Sequence, residues 1–188
     1  MFDPKKLTSE EREVKSQDLV AAIHSDPQRF LDLYQLWLDP IYFYFLRLTQ
    51  HKECAEDLTA DFFLKLINIL SKYKAKGKFS SWLFKVAHNL AMDHLRRENH
   101  SNTDQPLYGN ESKAWIGGGT LDRDEIILLK QAIQTLSIEE QELLHLRFME
   151  DLSFAEVASI VRKSEQSVKK AVYRILKSLN IYLGVDHE

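Results

Sequence analysis

Residues 153–179, SFAEVASIVRKSEQSVKKAVYRILKSL, place two helix starts almost back to back, which leaves room only for a short helix, a tight polar turn and a second helix. Ser153 followed by Glu156 has the form of a capping box, and Phe154, Val157, Ala158 and Val161 recur at helical spacing. Ser164 then caps a helix on which Val168, Val172, Ile175 and Leu179 make one apolar stripe. Gln166, Lys169, Lys170, Tyr173 and Lys177 fall mostly off that stripe. Two helices joined this closely suggest a helix-turn-helix, whose second helix enters the DNA major groove and reads base edges near its N-terminus. Gln166 and Lys169 are the base-edge candidates. The segment taken alone also fits an ordinary helical hairpin with solvated lysines.

Charge is segregated along the chain, although the formal net charge is only −3. Residues 1–61 carry 7 Lys/Arg against 12 Asp/Glu, residues 65–97 carry 8 against 1, residues 98–160 carry 4 against 12, and residues 161–177 carry 6 against 1. Two basic blocks on an otherwise acidic chain read as two footprints for a polyanion, with the acidic remainder free to meet a different, basic partner.

The 188 residues suffice for one ordinary domain or two small ones, and 44% hydrophobic composition can supply a core in either case. No apolar run is long enough to span a bilayer, and MFDPKKLTSEEREVKSQDL is too charged for a secretory signal, so a cytoplasmic location is expected. The single Cys54 cannot form an intramolecular disulfide. His51 and Cys54 can share a helix face, but two ligands seldom make a metal site, and neither metal nor cofactor is expected.

Asp26-Pro27 reads as a helix start, followed by the aromatic-rich FLDLYQLWLDPIYFYFLRL with an interruption expected near Pro40. From Ala55 to Tyr73, Leu58, Phe62 or Phe63, Leu66, Ile69 and Leu70 line one side of a helix, with Glu56, Asp57, Asp61 and Lys65 more exposed. The lysine-rich KAKGK loop, 74–78, precedes a long helix running to about Arg97. On it Leu83, Val86, Ala87, Leu90 and Ala91 point to the core, while Lys85, Asn89, Asp93 and Arg96 or Arg97 form an exposed ladder. Trp82 reads as core, and Tyr73 and Phe79 stay open between core and base stacking.

Residues 99–120 hold four of the six glycines and little periodicity, as a flexible connector would. Beyond it Leu129, Ala132, Ile133 and Leu136 mark one helix, and Ser137 with Glu140 opens another carrying Leu143, Leu144 and Phe148. No strand-period segment occurs. The expected fold is all-α: two small helical domains joined by a flexible linker.

With both halves in view, the chain resembles a sigma-70 family factor of the extracytoplasmic-function type, over roughly residues 25–182. AEDLTADFFLKL and FSSWLFKVAHNLAMDHLRR resemble segments of the family's region 2, and AIQTLSIEEQELLHLRFMEDLSFAEVASIVRKSEQSVKKAVYRILKSL resembles its region 4. The resemblance divides the chain into an N-terminal extension (1–24), region 2 (25–98), a linker (99–121), region 4 (122–183) and a tail (184–188). It implies a non-enzymatic subunit of bacterial RNA polymerase that reads two promoter elements and helps open the duplex.

The resemblance assigns −35 recognition to Arg162, Lys163, Ser164, Gln166, Ser167, Lys169, Lys170, Tyr173 and Arg174. It assigns −10 contacts to Lys74, Lys76, Lys78, Lys85, Asn89, Arg96 and Arg97, and polymerase clamp contacts to Glu56, Asp57 and Asp61. Further partners implied are promoter DNA and an anti-sigma protein. Ala60 departs from a family Gln, and Arg162 from a frequent Gly in the turn. The turn then either avoids the left-handed conformation or accepts strain. Two other readings compete: a helix-turn-helix regulator acting without polymerase, and a metal-dependent phosphohydrolase built on His88, Asp93 and His94. The six-residue offset of the two histidines argues against the second, because it puts them on different helix faces.

Overall fold

The computed structural model describes residues 7–74, 77–101 and 123–183, and all regular structure among them is helical. Lys76, most of the connector and the tail at 184–188 lie outside those residues. The first unit contains α1 (Ser9–Ile23), α2 (Arg29–Thr49), α3 (Lys52–Leu70) and α4 (Phe79–Ser101). The second contains α5 (Arg123–Gln134), α6 (Ile138–Leu144), a π-helical turn (His145–Met149), α7 (Phe154–Val161) and α8 (Glu165–Leu183).

Local chemistry explains most of the boundaries. Thr8 with Glu11, Ser137 with Glu140 and Ser153 with Glu156 each form a reciprocal capping box, satisfying amides that a helix start leaves without partners. Asp26 Oδ1 accepts from Gln28 N at 3.1 Å, so the expected cap is made, but tight turns intervene and α2 begins at Arg29. Within residues 1–24, Ser9–Ile23 is itself a helix, and its Thr8–Glu11 signature is the one that marks two other helix starts.

The break expected near Pro40 does not occur: α2 runs continuously from Arg29 to Thr49. Proline removes one hydrogen bond and crowds the preceding turn. Here Leu36, Trp37, Ile41, Tyr44 and Phe45 on both sides of it are all fully buried. Burial of such side chains is worth about 1.5–3 kcal/mol each, which outweighs a local cost of about 3 kcal/mol. The chain turns instead just past the end of α2, at Gln50, whose φ is 53°.

In α3 both Phe62 and Phe63 are buried with Leu58, Leu66 and Leu70. In the second unit Leu143 and Leu144 are buried as expected, but Phe148 is 50% exposed. The π turn explains this: Glu150 N donates to His145 O five residues back, at 3.2 Å. One residue more per turn rotates the next side chains off the apolar face of α6.

The two units are not held apart. α4 packs against α7, and α2 against α6, so one continuous set of buried apolar residues runs through both. That packing sets Lys85 and Asn89 of the basic ladder beside α7 and the turn that follows it. It also explains why α4 is buried on more sides than its periodicity announced. Leu83, Ala87 and Ala91 are in the core and Val86 and Leu90 half-buried, but Phe84 and His88 are buried too. Phe84 lies edge-on to Trp37 and Tyr44 and also meets the ring of His145 from the second unit.

Candidate nucleic-acid interface and the seam behind it

The helix-turn-helix forms as its two caps require. Ser164 Oγ accepts from Ser167 N at 3.2 Å, and Val168, Val172, Ile175 and Leu179 pack inward. Every residue assigned to −35 recognition, from Arg162 and Lys163 through Ser164, Gln166, Ser167, Lys169, Lys170, Tyr173 and Arg174, is exposed. Lys169 Nζ is 3.0 Å from Glu165 and lies over the Phe154 ring, while Lys163 meets Glu139 at 2.7 Å and Arg174 meets Glu140 at 3.2 Å. Exposed pairs of this kind contribute about 0–1 kcal/mol, little enough for a phosphate to replace them.

The turn itself is left-handed at Arg162, with φ 56° and ψ 40°. Of the two possibilities open to a non-glycine there, the chain accepts the strain. The Arg162 guanidinium then reaches across to the first unit and donates to Asn89 Oδ1 at 2.7 Å.

The first unit's basic residues divide into two groups. Lys74, Arg96 and Arg97 are exposed, with Arg96 at 2.9 Å from Asp93. Lys78, Lys85 and Asn89 instead face the second unit. Lys78 Nζ donates to Asp151 O at 2.7 Å, Lys85 Nζ to Ser159 Oγ at 2.9 Å, and Asn89 receives Arg162. Phe79 is fully buried, with Tyr73 and Trp82 half-buried against it in an aromatic cluster. Packing therefore accounts for all three rings, including Trp82.

Behind these contacts lies a buried polar seam that sequence reasoning missed. Tyr44 Oη donates to Glu142 Oε1 at 2.5 Å, and His88 Nδ1 sits 2.8 Å from the same oxygen. Arg12 Nη1 donates to Glu150 Oε2 at 2.9 Å, with only 14% and 5% of the two side chains exposed. His145 Nε2 is 3.5 Å from Glu150 Oε1, although neither ring nitrogen has a hydrogen-bond partner. Burial raises the Glu150 pKa above the usual carboxylate value against the pull of Arg12 and Arg47. Burial, reinforced by those two arginines, holds the His145 imidazole well below its usual value, and burial brings Arg47 down to about 10. Tyr44 is pushed well up by burial and by Glu142.

Part of the second unit's acidic charge is thus met within the chain. Glu142, Glu150 and Asp151 meet His88, Arg12 and Lys78 of the same chain. A signal for this existed in Phe84 and His88, spaced i and i+4 beside the core face of α4, which widen its apolar side beyond what one neighbour needs.

Glu56, Asp57 and Asp61 are exposed on α3, beside exposed Leu64 and Ile67. The hydrolase constellation does not assemble. His88 goes to Glu142, Asp93 to Arg96 and His94 Nε2 to Cys54 Sγ at 2.7 Å; His51 turns to Glu53 instead of Cys54. Among the described residues no three potential metal ligands gather, and no helix is long and apolar enough to cross a membrane.

Comparison with known proteins places these helices. Residues 33–101 match the family model for sigma-70 region 2, and residues 126–179 match that for sigma-70 region 4. The chain is 30% identical over 151 residues to the ECF RNA polymerase sigma factor BldN of Streptomyces coelicolor, covering 78% of this chain and 57% of that one. It is 29% identical over 151 residues to the RNA polymerase sigma factor YlaC of Bacillus subtilis, covering 76% and 85%. Among solved structures, the fold is similar to the sigma factor RpoE of Bartonella quintana in complex with the anti-sigma factor NepR. There the TM-score is 0.65 and the identity 24%, with 84% of this chain and 98% of that one covered. It is also similar to CnrH in complex with the cytosolic domain of CnrY, with TM-score 0.60, 17% identity, and 92% and 99% covered.

Proposed function

The chain belongs to the sigma-70 family of RNA polymerase sigma factors, in its extracytoplasmic-function group, and from that premise we propose how its residues divide the work. It is a sigma factor: it binds bacterial core RNA polymerase, directs it to promoters and promotes DNA opening. The observation that carries the assignment of its residues is the exposed, polar N-terminal half of α8, held over a fully apolar inner stripe.

In this reading Gln166 and Lys169 meet base edges of the −35 element, while Arg162, Lys163, Ser164, Ser167, Lys170, Tyr173 and Arg174 hold its backbone and flanks. Lys74, Lys76, Lys78, Lys85, Asn89, Arg96 and Arg97 hold the −10 element. Glu56, Asp57 and Asp61 offer an acidic face to the polymerase clamp, with Leu64 and Ile67 adding apolar area beside it. The working units are residues 25–98 and 122–183, with 1–24 an extension, 99–121 a connector and 184–188 a tail.

Opening DNA in this way needs no covalent step. Capturing unstacked bases and single-strand phosphates on the first unit stabilises the open duplex, so the protein acts by binding and not as an enzyme. The work is cytoplasmic, where polymerase and chromosome meet, and a dedicated anti-sigma protein is the proposed inhibitor.

The test is reconstitution with bacterial core polymerase. Initiation at a restricted promoter set is expected, with Lys169→Ala weakening −35 protection and Asn89→Ala impairing opening. Failure both to bind core and to direct transcription would refute the function. Unchanged footprints for both variants would remove the residue assignments, and tight promoter binding by the free protein would favour a regulator acting alone.

A further inference from the structure

We propose that α1 is the bolt of a self-masked state: Arg12, mounted on the first unit, locks Glu150 of the second unit so that Lys78, Lys85 and Asn89 are occupied until the units part. The mask, though not the bolt, rests on the reading of those three residues as DNA contacts.

The mount is rigid. Trp37 Nε1 donates to Ser16 Oγ at 2.8 Å, and Ser16 Oγ donates to Arg12 O at 2.7 Å. The carboxylate of Glu13 accepts from the amides of Phe79 and, at 2.9 Å, Ser80, capping α4 from another helix. Neighbours in α1 thus tie it to α2 and to the start of α4. From there Arg12 lies over the Trp37 ring, 5.2 Å from its centroid, and reaches Glu150. Ser9 Oγ adds a bond to Met149 O at 3.0 Å. Both acceptors sit where the π turn ends, next to Asp151, which receives Lys78.

The bolt is costly to break from one side because it is buried, and conditional because it is ionic. Each ion of a desolvated pair needs the other, so removing one strands its partner in the closed state, whereas in the opened state either can be hydrated. α1 precedes the matched region 2 segment, residues 33–101, so Arg12 lies outside the parts that the family models cover, while Glu150 lies inside the region 4 match, residues 126–179.

Small-angle X-ray scattering on the full chain, with binding of a random-sequence single-stranded oligonucleotide measured on the same samples, tests it. The parent should be compact. Arg12→Ala and Glu150→Gln should each shift the open–closed equilibrium on the order of a hundredfold toward open. That shift would be seen as an enlarged radius of gyration at unchanged helical content, with oligonucleotide affinity raised about tenfold. Glu150→Gln lies in the other unit, so it decides the matter should Arg12→Ala lose helicity. An extended parent, or variants as compact as the parent, would overturn the bolt. Expanded variants that bind the oligonucleotide no better would leave the bolt and overturn the DNA role of α4, and with it the mask.

Discussion

The exposed face of α3 and the seam face of α4 belong to the same small bundle, yet one is open and the other is covered. On α3, Glu56, Asp57 and Asp61 stand exposed, and Leu64 and Ile67 expose 63% and 54% of their surface. On α4, Lys85 and Asn89 reach into the second unit, and Phe84 and His88 are buried beneath it. The difference lies in what each face is packed against. α4 buries Phe84 and sets His88 against Glu142, while Arg12 on α1 and Lys78 just before α4 meet Glu150 and Asp151. The acids of α3 are left facing outward. The second unit thus covers one face of the first, leaving the proposed polymerase-facing side of α3 available while Lys78, Lys85 and Asn89, the proposed DNA contacts beside it, are engaged.

The largest test of that asymmetry compares apolar truncations on the two faces. Phe84→Ala removes a ring packed among Trp37, Tyr44 and His145 and should cost about 3–5 kcal/mol in denaturant unfolding. Leu64→Ala on the open face should change stability by no more than about 0.5 kcal/mol. Equal costs would mean that the two faces are buried alike.

Charge reversal sharpens the comparison from the other side. Asp57→Lys with Asp61→Lys should weaken core polymerase binding on the order of tenfold or more, about 1.4 kcal/mol, without changing the radius of gyration. Expansion of that double variant would show that α3 takes part in closure after all.

What could be read in advance is what short-range chemistry decides. The caps at Ser137, Ser153 and Ser164, the stripe Val168–Leu179 and the alternation of charge blocks are all local patterns, and the structure contains each of them. The seam is not local. Arg12 and Glu150 are 138 residues apart, and Tyr44 and Glu142 are 98 apart; each alone resembles an ordinary surface or core residue. The continuity of α2 through Pro40 was hidden for a related reason, because the packing that overrides a proline comes from other helices. Even so, the Thr8–Glu11 box was as legible as the others, and reading it would have exposed α1 as a structural element.

Acid provides a graded way to weaken closure. His145 is faced by Tyr44 from α2 and Phe84 from α4, by the charges of Arg47 and Arg12, and by Glu150 on its own segment. Its imidazole is held neutral in the closed state by burial and by the two arginines. When the units part it regains a value near 6.5, so the opened form takes up a proton that the closed form refuses. The closed state should therefore be fully favoured above about pH 6.5 and lose up to about 1.4 kcal/mol per unit as pH falls below it. Glu150 acts in the opposite sense, since its raised pKa makes the closed form the better proton acceptor as acidity increases. Scattering against pH should show expansion beginning below 6.5, and His145→Phe should flatten that limb. Expansion on going from pH 7 to pH 8 instead would reverse the sign and reject the role of His145.

The smallest effect is expected at the turn of the helix-turn-helix, where backbone strain and a contact across the seam meet in one residue. Arg162 holds a left-handed backbone, which costs a residue with a Cβ about 1–2 kcal/mol, so Arg162→Gly should relieve strain in the second unit. The gain is offset by the greater freedom of glycine in the unfolded chain, worth about 0.4–1 kcal/mol, leaving a net change of about 0.5–1 kcal/mol. The same substitution removes the guanidinium from Asn89, a contact between exposed groups whose loss should loosen closure only slightly. The expected signature is a second unit that melts a few degrees higher while scattering shows a marginally larger open population. If Arg162→Gly lowers the melting temperature, the arginine's reach across the seam outweighs the strain of its backbone, and the turn is held by the first unit more than by its own caps.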